Sequence, residues 1–235
     1  INEIGERQKA DNISGLLGET GFRQYMDQQD TPLETGYLLR IGIDHFKEIN
    51  DNFGQEYGDF VLRKTADCIS DCLSEVQKVY KLVADEFLIL DVSSDKVRDA
   101  EKLYDKVREA IDRFIETNRF KVMYTVSGGV VPFETLVGDQ YSEALKLTDF
   151  ALNEAKNRGR NRCYIFDRET YRKFLRKREI TQELREAVLN GCQGFAAFYQ
   201  PVFAEDKKVP YGAEALMRFT SEKFGMVSPA EFIPI

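Results

Sequence analysis

Between Val79 and Val92 two β-rich runs, Val79 to Leu82 and Phe87 to Val92, are separated only by Val83-Ala84-Asp85-Glu86. A connection that short joins antiparallel neighbours. The middle of the chain must therefore form a hairpin that carries two adjacent acids at its tip.

Upstream, Glu19 to Gln29 reads as a helix and Gly36 to Ile43 as a buried strand. A short helix from about His45 and a longer one from Glu56 to Leu73 follow, the second carrying Phe60, Val61, Ala66, Ile69 and Leu73. Downstream, Lys96 to Thr117 has an apolar stripe of Val97, Ala100, Leu103, Tyr104, Val107, Ile111 and Ile115 at helical spacing. A strand from Lys121 to Val131, a helix from Ser142 to Asn157 and a short strand at Cys163 to Phe166 complete the order β-α-α-β-β-α-β-α-β. That order contains the split βαβ unit of a ferredoxin-like sheet. It predicts an α+β domain, helices flanking an antiparallel-rich sheet of the palm or nucleotide-cyclase type, and it assigns no activity. A highly charged helix from Arg168 to Asn190 carries the domain boundary. Phe195 to Phe203 and Val209 to Phe219 then read as two strands around the turn Glu205-Asp206-Lys207-Lys208.

The 235 residues suffice for one substantial core and part of a second. With 33 Lys+Arg against 40 Asp+Glu, net charge −7 and both signs interspersed, the chain is not a nucleic-acid binder. No apolar run is long enough for a bilayer and no signal peptide is visible. The chain opens on Ile1, so it reads as a piece of a longer protein, with residues 1–10 an upstream helix or linker and any membrane anchor preceding them. Cys68, Cys72, Cys163 and Cys192 lack zinc-type spacing. Cys68 and Cys72 read as small buried apolar residues, which suits the reducing cytoplasm.

Asp11-Asn12-Ile13-Ser14-Gly15-Leu16, then Ile43-Asp44-His45-Phe46-Lys47-Glu48-Ile49-Asn50-Asp51, Gly58-Asp59 and Leu82-Val83-Ala84-Asp85-Glu86-Phe87 occur in an order that resembles the GGDEF (diguanylate cyclase) family. The resemblance covers Asp11 to Phe166 and implies a domain at 11–167. Members join two GTP molecules into cyclic di-GMP with two cations, Mg2+ or Mn2+, which activate the attacking hydroxyl and neutralise the triphosphate. By resemblance those cations are held by the first Asp of an Asp-x-Asp-x-Phe-Lys motif and by the acidic third residue of the hairpin signature. Here these positions are Gly42 and Asp85.

Magnesium takes oxygen ligands at roughly 2.0–2.1 Å, and glycine offers none. Metal binding is therefore expected to be weakened, with Asp85 the remaining ligand and Asp85 and Glu86 the candidate catalytic acids. Asp44 reads as a cap of the helix near His45 in preference to a substitute ligand. Val83 and Ala84 replace two glycines, and a β-branched residue is strongly disfavoured at positive φ. The turn is expected to change shape, or the nucleotide to sit further out. On the residues alone, without the surrounding matches, Asp85 and Glu86 read as solvated acids of an ordinary hairpin.

The resemblance further implies that Asn50 and Asp59 read the guanine edge and that Lys47, Lys156 and Arg160 meet the phosphates, Arg160 with bidentate capacity. The run Asn157-Arg158-Gly159-Arg160-Asn161-Arg162 also reads as a helix C-terminus ended by Gly159, a role that coexists with phosphate binding. A product-inhibition motif found in many members falls on Ser74 and Gln77, so that site is expected to be absent. His45 reads as structural, and Phe46, Phe53, Tyr57 and Phe60 as core.

After a connecting helix at 168–194, the segments Phe198-Tyr199-Gln200-Pro201-Val202, Glu214-Ala215-Leu216 and Pro229-Ala230-Glu231-Phe232-Ile233-Pro234 resemble the opening of an EAL phosphodiesterase. That family is a TIM-type barrel, an architecture of roughly 250 residues, so 195–235 is expected to be its incomplete start. Glu214 matches a metal ligand and Arg218 a substrate-phosphate residue. One carboxylate assembles no site, so this piece is expected to lack phosphodiesterase activity. The favoured function is a degenerate regulatory domain that binds GTP or another guanine nucleotide and modulates its own EAL domain. The alternatives are an active cyclase working as a pair of chains with an altered metal site, and a ligand-free dimerisation or scaffold domain.

Overall fold

A computed structural model describes residues 10–94, 96–117, 122–205 and 208–235. The expected upstream segment 1–10, apart from its last residue, lies outside the described residues, as do Lys121 and the turn residues Asp206 and Lys207. The chain divides into two compact units, 1–166 and 167–235. Among the described residues no helix is long and apolar enough to cross a membrane.

The first unit runs β1 (Leu17–Gly18), α1 (Glu19–Asp27), β2 (Tyr37–Ile43), α2 (Phe46–Phe53), α3 (Gln55–Cys72), β3 (Lys78–Lys81), β4 (Glu86–Asp91), α4 (Val97–Thr117), β5 (Val126–Pro132), a 3-10 turn at Phe133–Thr135, α5 (Gln140–Asn157) and β6 (Cys163–Ile165). Its six strands form one mixed sheet in the order β1-β3-β4-β2-β5-β6. The outer strands β1 and β6 are parallel to their neighbours, and the inner pairings are antiparallel. The hairpin forms as expected, with Lys81 opposite Phe87. The result is an α+β domain.

β2 sits inside the sheet between β4 and β5, and its apolar side chains are buried on both faces. Leu39, Ile41 and Ile43 face a core shared with Val61, Ala66 and Ile69 of α3 and the apolar stripe of α4. Every residue of that predicted stripe is fully buried except Val97, which packs partly buried at its start. Each such burial contributes about 1.5–3 kcal/mol for a large aliphatic or aromatic side chain. By alternation, Leu38, Arg40 and Gly42 fall on the opposite face, the face covered by α5.

α5 approaches that face unusually closely. A Cβ at Gly129 would lie 2.3 Å from the Leu152 backbone nitrogen and 2.6 Å from the Ala151 carbonyl carbon, and one at Gly128 would lie 2.7 Å from the Tyr104 ring on the other side. The paired glycines of β5 thus let helices press on the sheet from both faces at one level.

Several expectations are corrected. β5 begins at Val126, not near Lys121, because its partner β2 ends at Ile43, opposite Val126, and leaves no ladder for residues 122–125. The two-residue β1 was not foreseen; it pairs with Tyr80 and Lys81 of β3. Phe53, read as core, is 47% exposed and packs on the Tyr57 ring. Cys72 is buried and Cys68 half-buried, both as free thiols. Burial pushes the Cys68 thiol up to about 11.

The second unit comprises α6 (Arg168–Leu189), β7 (Phe195–Phe203), β8 (Pro210–Ser221), β9 (Gly225–Val227) and α7 (Pro229–Phe232). The last two were not foreseen. Asp167 caps α6 by accepting the Thr170 N–H at 2.7 Å, and among α6 residues only Ile180 is buried. The strands form an antiparallel sheet in the order β7-β8-β9. Ile180, Phe219, Val227 and Phe232 make a small core beside Leu184 and Phe195. Most of β7 and β8 is exposed, including Phe198, Tyr199 and Tyr211.

Gly129→Ala must displace helix backbone, which no rotamer change can relieve. It is expected to destabilise the first unit by about 3 kcal/mol, the upper end of overpacking costs, read as a lower urea midpoint at unchanged slope.

Candidate functional site

The candidate site lies where β2 ends beside the starts of β4 and β5. Gly42 stands opposite Glu86 on β4 and Ser127 on β5. The nearest groups to a Cβ built on Gly42 are the Lys156 Nζ at 3.0 Å, the Leu152 Cδ2 at 3.1 Å and the Lys156 Cε at 3.3 Å. The Lys156 side chain, projecting from the last turn of α5, therefore lies over the position at which the resemblance requires an acid.

Glu86 is held between two cations. Its Oε2 accepts from the Arg40 Nε at 2.7 Å and from the Arg40 Nη2, while its Oε1 is 4.0 Å from the Lys156 Nζ. Arg40 also donates to the Leu145 carbonyl at 3.1 Å and approaches Asp149 at 3.5 Å. Both members of the Arg40–Glu86 pair are largely buried, so removing either would strand the other charge. Asp85 is half-buried at the hairpin tip. Burial pushes its carboxyl up from the ordinary range, against the pull of Lys156.

The tip solves its missing glycines in an unexpected way. Only Ala84 adopts a positive φ, +55°, and Val83 instead points to solvent at 72% exposure. The left-handed Ala84 costs about 1–2 kcal/mol. Beneath the turn the Lys81 Nζ, only 6% exposed, donates to the carbonyls of Leu82 at 2.8 Å, of Ala84, and of Glu86 at 3.4 Å. Burial lowers the Lys81 pKa, opposed by Asp11, Asp85 and Glu86.

Asp44 neither caps α2 nor stands free for a cation. The residue preceding α2 is His45, at φ +57°, and no side chain caps the helix. The Asp44 carboxylate is 2% exposed and accepts from the Thr125 hydroxyl at 2.7 Å, the Ser127 hydroxyl at 2.7 Å and the Asn161 N–H at 3.1 Å. The expected cap is corrected for a physical reason. With its carboxylate drawn between β5 and the loop after α5, Asp44 cannot also reach the first N–H groups of α2.

That loop carries three successive residues in left-handed backbone, Gly159 at +115°, Arg160 at +59° and Asn161 at +46°. Only the first is a glycine, so the hydrogen bonds of the Arg160 N–H to Ala155 and the Asn161 N–H to Asp44 hold the other two in place. Arg158 is occupied by Glu154 at 3.2 Å and by the Tyr164 ring at 4.5 Å, while Arg160 is exposed.

At the junction of α2 and α3, Asn50 and Asp59 are half-buried and Lys47 is exposed. The Asn50 Oδ1 is buried and accepts no hydrogen bond among the described residues. A Cβ at Gly58 would lie 1.8 Å from it, so glycine is required there for the Asn50 side chain to sit where it does. Ser74 and Gln77, at the expected inhibitory positions, build a local brace. Gln77 accepts from the Ser74 N–H at 2.9 Å and donates to Asp91 at 2.6 Å. His45 pairs with Glu48 at 2.6 Å. A cleft of about 550 Å³ beyond Asp44 is lined by His45, Glu48, Asn52, Asp112 and Glu116 among others, and by none of the expected nucleotide residues.

Two groups thus emerge in the first unit. Gly42, Asp85, Glu86 and Lys156 are brought together, and Asn50 adjoins Gly58, which precedes Asp59 in sequence. Glu214 lies on β8 of the second unit, opposite Gln200 and exposed. Sequence reading missed Arg40 and Lys81. The signal was there, since a cation inside an apolar strand requires a buried counter-charge or carbonyls. The residues at the metal position do not fit a divalent ion: Gly42 has no donor, Glu86 is engaged by Arg40, and a lysine occupies the space. Asp44→Ala would leave two hydroxyls and an N–H without their acceptor. It is expected to cost about 3 kcal/mol or more, against about 1 kcal/mol for Asp139→Ala, the exposed N-cap of α5, both measured by urea unfolding.

Over residues 8–162 the chain matches the family described as diguanylate cyclase, GGDEF domain. It is 28% identical over 98% of its length to the cyclic di-GMP phosphodiesterase NbdA of Pseudomonas aeruginosa, and spans 29% of that relative's length. Its fold is similar to the GGDEF domain of PA1120 from Pseudomonas aeruginosa, with TM-score 0.60 at 23% identity over 71% of this chain and 99% of that one. It is similar over 99% of its length to the Vibrio cholerae LapD S helix-GGDEF-EAL structure bound to c-di-GMP, with TM-score 0.61 at 18% identity and 54% of that chain covered. With the sheet, the hairpin and the family match in agreement over the first unit, the chain belongs to the GGDEF domain family.

Proposed function

We propose that the first unit is a regulatory domain of cyclic di-GMP signalling that binds a guanine nucleotide without turning it over. The observation that carries this reading is a split in the site. Asn50, a residue assigned to the guanine edge, is seated against Gly58, next in sequence to Asp59, while the position assigned to the metal is Gly42 with a lysine over it. Cyclase chemistry needs carboxylate-held cations to activate the hydroxyl and neutralise the triphosphate. Recognition needs only the amide and carboxylate for the guanine edge, with Lys47, Lys156 and Arg160 for the phosphates.

In this reading the second unit is the beginning of an EAL phosphodiesterase domain, and the nucleotide tunes it. Support comes from the exposed apolar residues of the β7–β8 ribbon, Phe198, Tyr199 and Tyr211 among them, which suit a sheet covered and completed by further strands. Glu214 and Arg218, four residues apart on β8, fall on one face, as a metal ligand and a phosphate residue would. Regulation requires the nucleotide to bind two states of the domain pair with different affinities. In such a protein the domain is a sensor of the GTP pool.

Calorimetry on this chain is expected to show GTP binding in preference to ATP. Asn50→Ala and Asp59→Ala should each weaken it at least tenfold, about 1.4 kcal/mol. Gly58→Ala should do the same by expelling the Asn50 side chain, although alanine is the better helix former by about 1 kcal/mol. Incubation with GTP and Mg2+ or Mn2+ should yield no cyclic di-GMP. Cyclic product would establish the active-cyclase alternative instead, and absence of any GTP binding would leave the scaffold reading.

A further inference from the structure

We infer that the Lys156 ammonium has taken over the place and the charge-balancing role of the divalent cation, so that the domain binds the triphosphate of its nucleotide without a metal ion. Four observations meet at this point. A Cβ at position 42 would be 3.0 Å from the Lys156 Nζ. The same Nζ is 4.0 Å from Glu86 Oε1. Glu86 Oε2 is closed off by Arg40. Asp85, the one acid left at the tip, lies within the field of Lys156. A dication in this space would have to displace an ammonium and break the Arg40 pair to gain a second carboxylate, with like charges opposing its entry.

Glycine at position 42 leaves the Lys156 tip where it stands, since a Cβ there would require it to shift by a few tenths of an ångström. The ammonium can donate three hydrogen bonds and lies 4.0 Å from Glu86, which leaves it able to meet phosphate oxygens, a role lysine fills elsewhere as a point charge. The inference predicts two separate properties, exclusion of divalent ions and metal-independent phosphate binding; only the second rests on the guanine-nucleotide reading above.

Manganese binding to this chain, read by electron paramagnetic resonance without nucleotide, tests the first property. Wild type, Asp85→Asn and Gly42→Asp are expected to bind Mn2+ alike, because an aspartate at 42 pairs with the flexible tip of Lys156. The double variant Gly42→Asp/Lys156→Ala is expected to gain a site at least tenfold tighter, which Asp85→Asn removes. A wild-type or Gly42→Asp site that Asp85→Asn weakens tenfold overturns the inference, as does a double variant that keeps its circular dichroism spectrum yet gains no site.

GTP titrations test the second. Affinity should agree within about threefold in EDTA and in magnesium, and Lys156→Ala should lose at least tenfold in both, about 1.4 kcal/mol. A tenfold gain on adding magnesium overturns the inference. Absence of GTP binding in both buffers refutes the guanine-nucleotide reading and, with it, the second property, while the manganese result decides the first by itself.

Discussion

The arrangement of this domain depends on how closely α5 can approach the sheet. Because Gly129 has no side chain, the backbone of Ala151 and Leu152 comes to rest directly on β5. Everything α5 contributes follows from that contact. Its Leu145 carbonyl reaches Arg40, its last turn lays Lys156 over Gly42, and its exit presents Arg160 on a left-handed loop. A helix held a few tenths of an ångström further out would carry the same residues but not this constellation, since interiors packed at crystalline density transmit such shifts directly.

On that scaffold the charges are arranged around a glycine at position 42. The two neighbouring acids differ in their surroundings. Glu86 is a structural anion neutralised by Arg40 and Lys156, and Asp85 is left half-buried at the tip. The hairpin tells a parallel story. The family's glycines are gone, yet the turn persists because Lys81 gathers its carbonyls from below and only the small Ala84 takes the strained conformation. In both places a lysine side chain lies against the backbone, Lys81 beneath the turn and Lys156 over Gly42.

Much of this was legible in the residues. The hairpin, the helices flanking it and the apolar stripe of α4 followed from periodicity, because each is a local pattern backed by burial. Boundaries that depend on a distant partner were not: β5 starts where β2 stops, and β1 exists only because β3 offers an edge. For the site, sequence identified the vacancy at Gly42 but not what fills it, since Lys156 lies 114 positions away and only the packing of α5 reveals the encounter. Asp44 was misread for the same reason. A carboxylate just before a helix is a sound cap by local rules, and it was outcompeted by Thr125, Ser127 and Asn161, all remote in sequence.

Those remote bonds carry a consequence for how the protein acquires its shape. The three donors to Asp44 are separated from it by 81, 83 and 117 residues, so its knot closes large loops and is complete only when both later segments are docked. Contacts of such long range form late and slow the search. On a ribosome, the bond of Asn161 to Asp44 forms only after residue 161 has emerged, whereas the Arg160 N–H already has its partner in Ala155 of the helix just made.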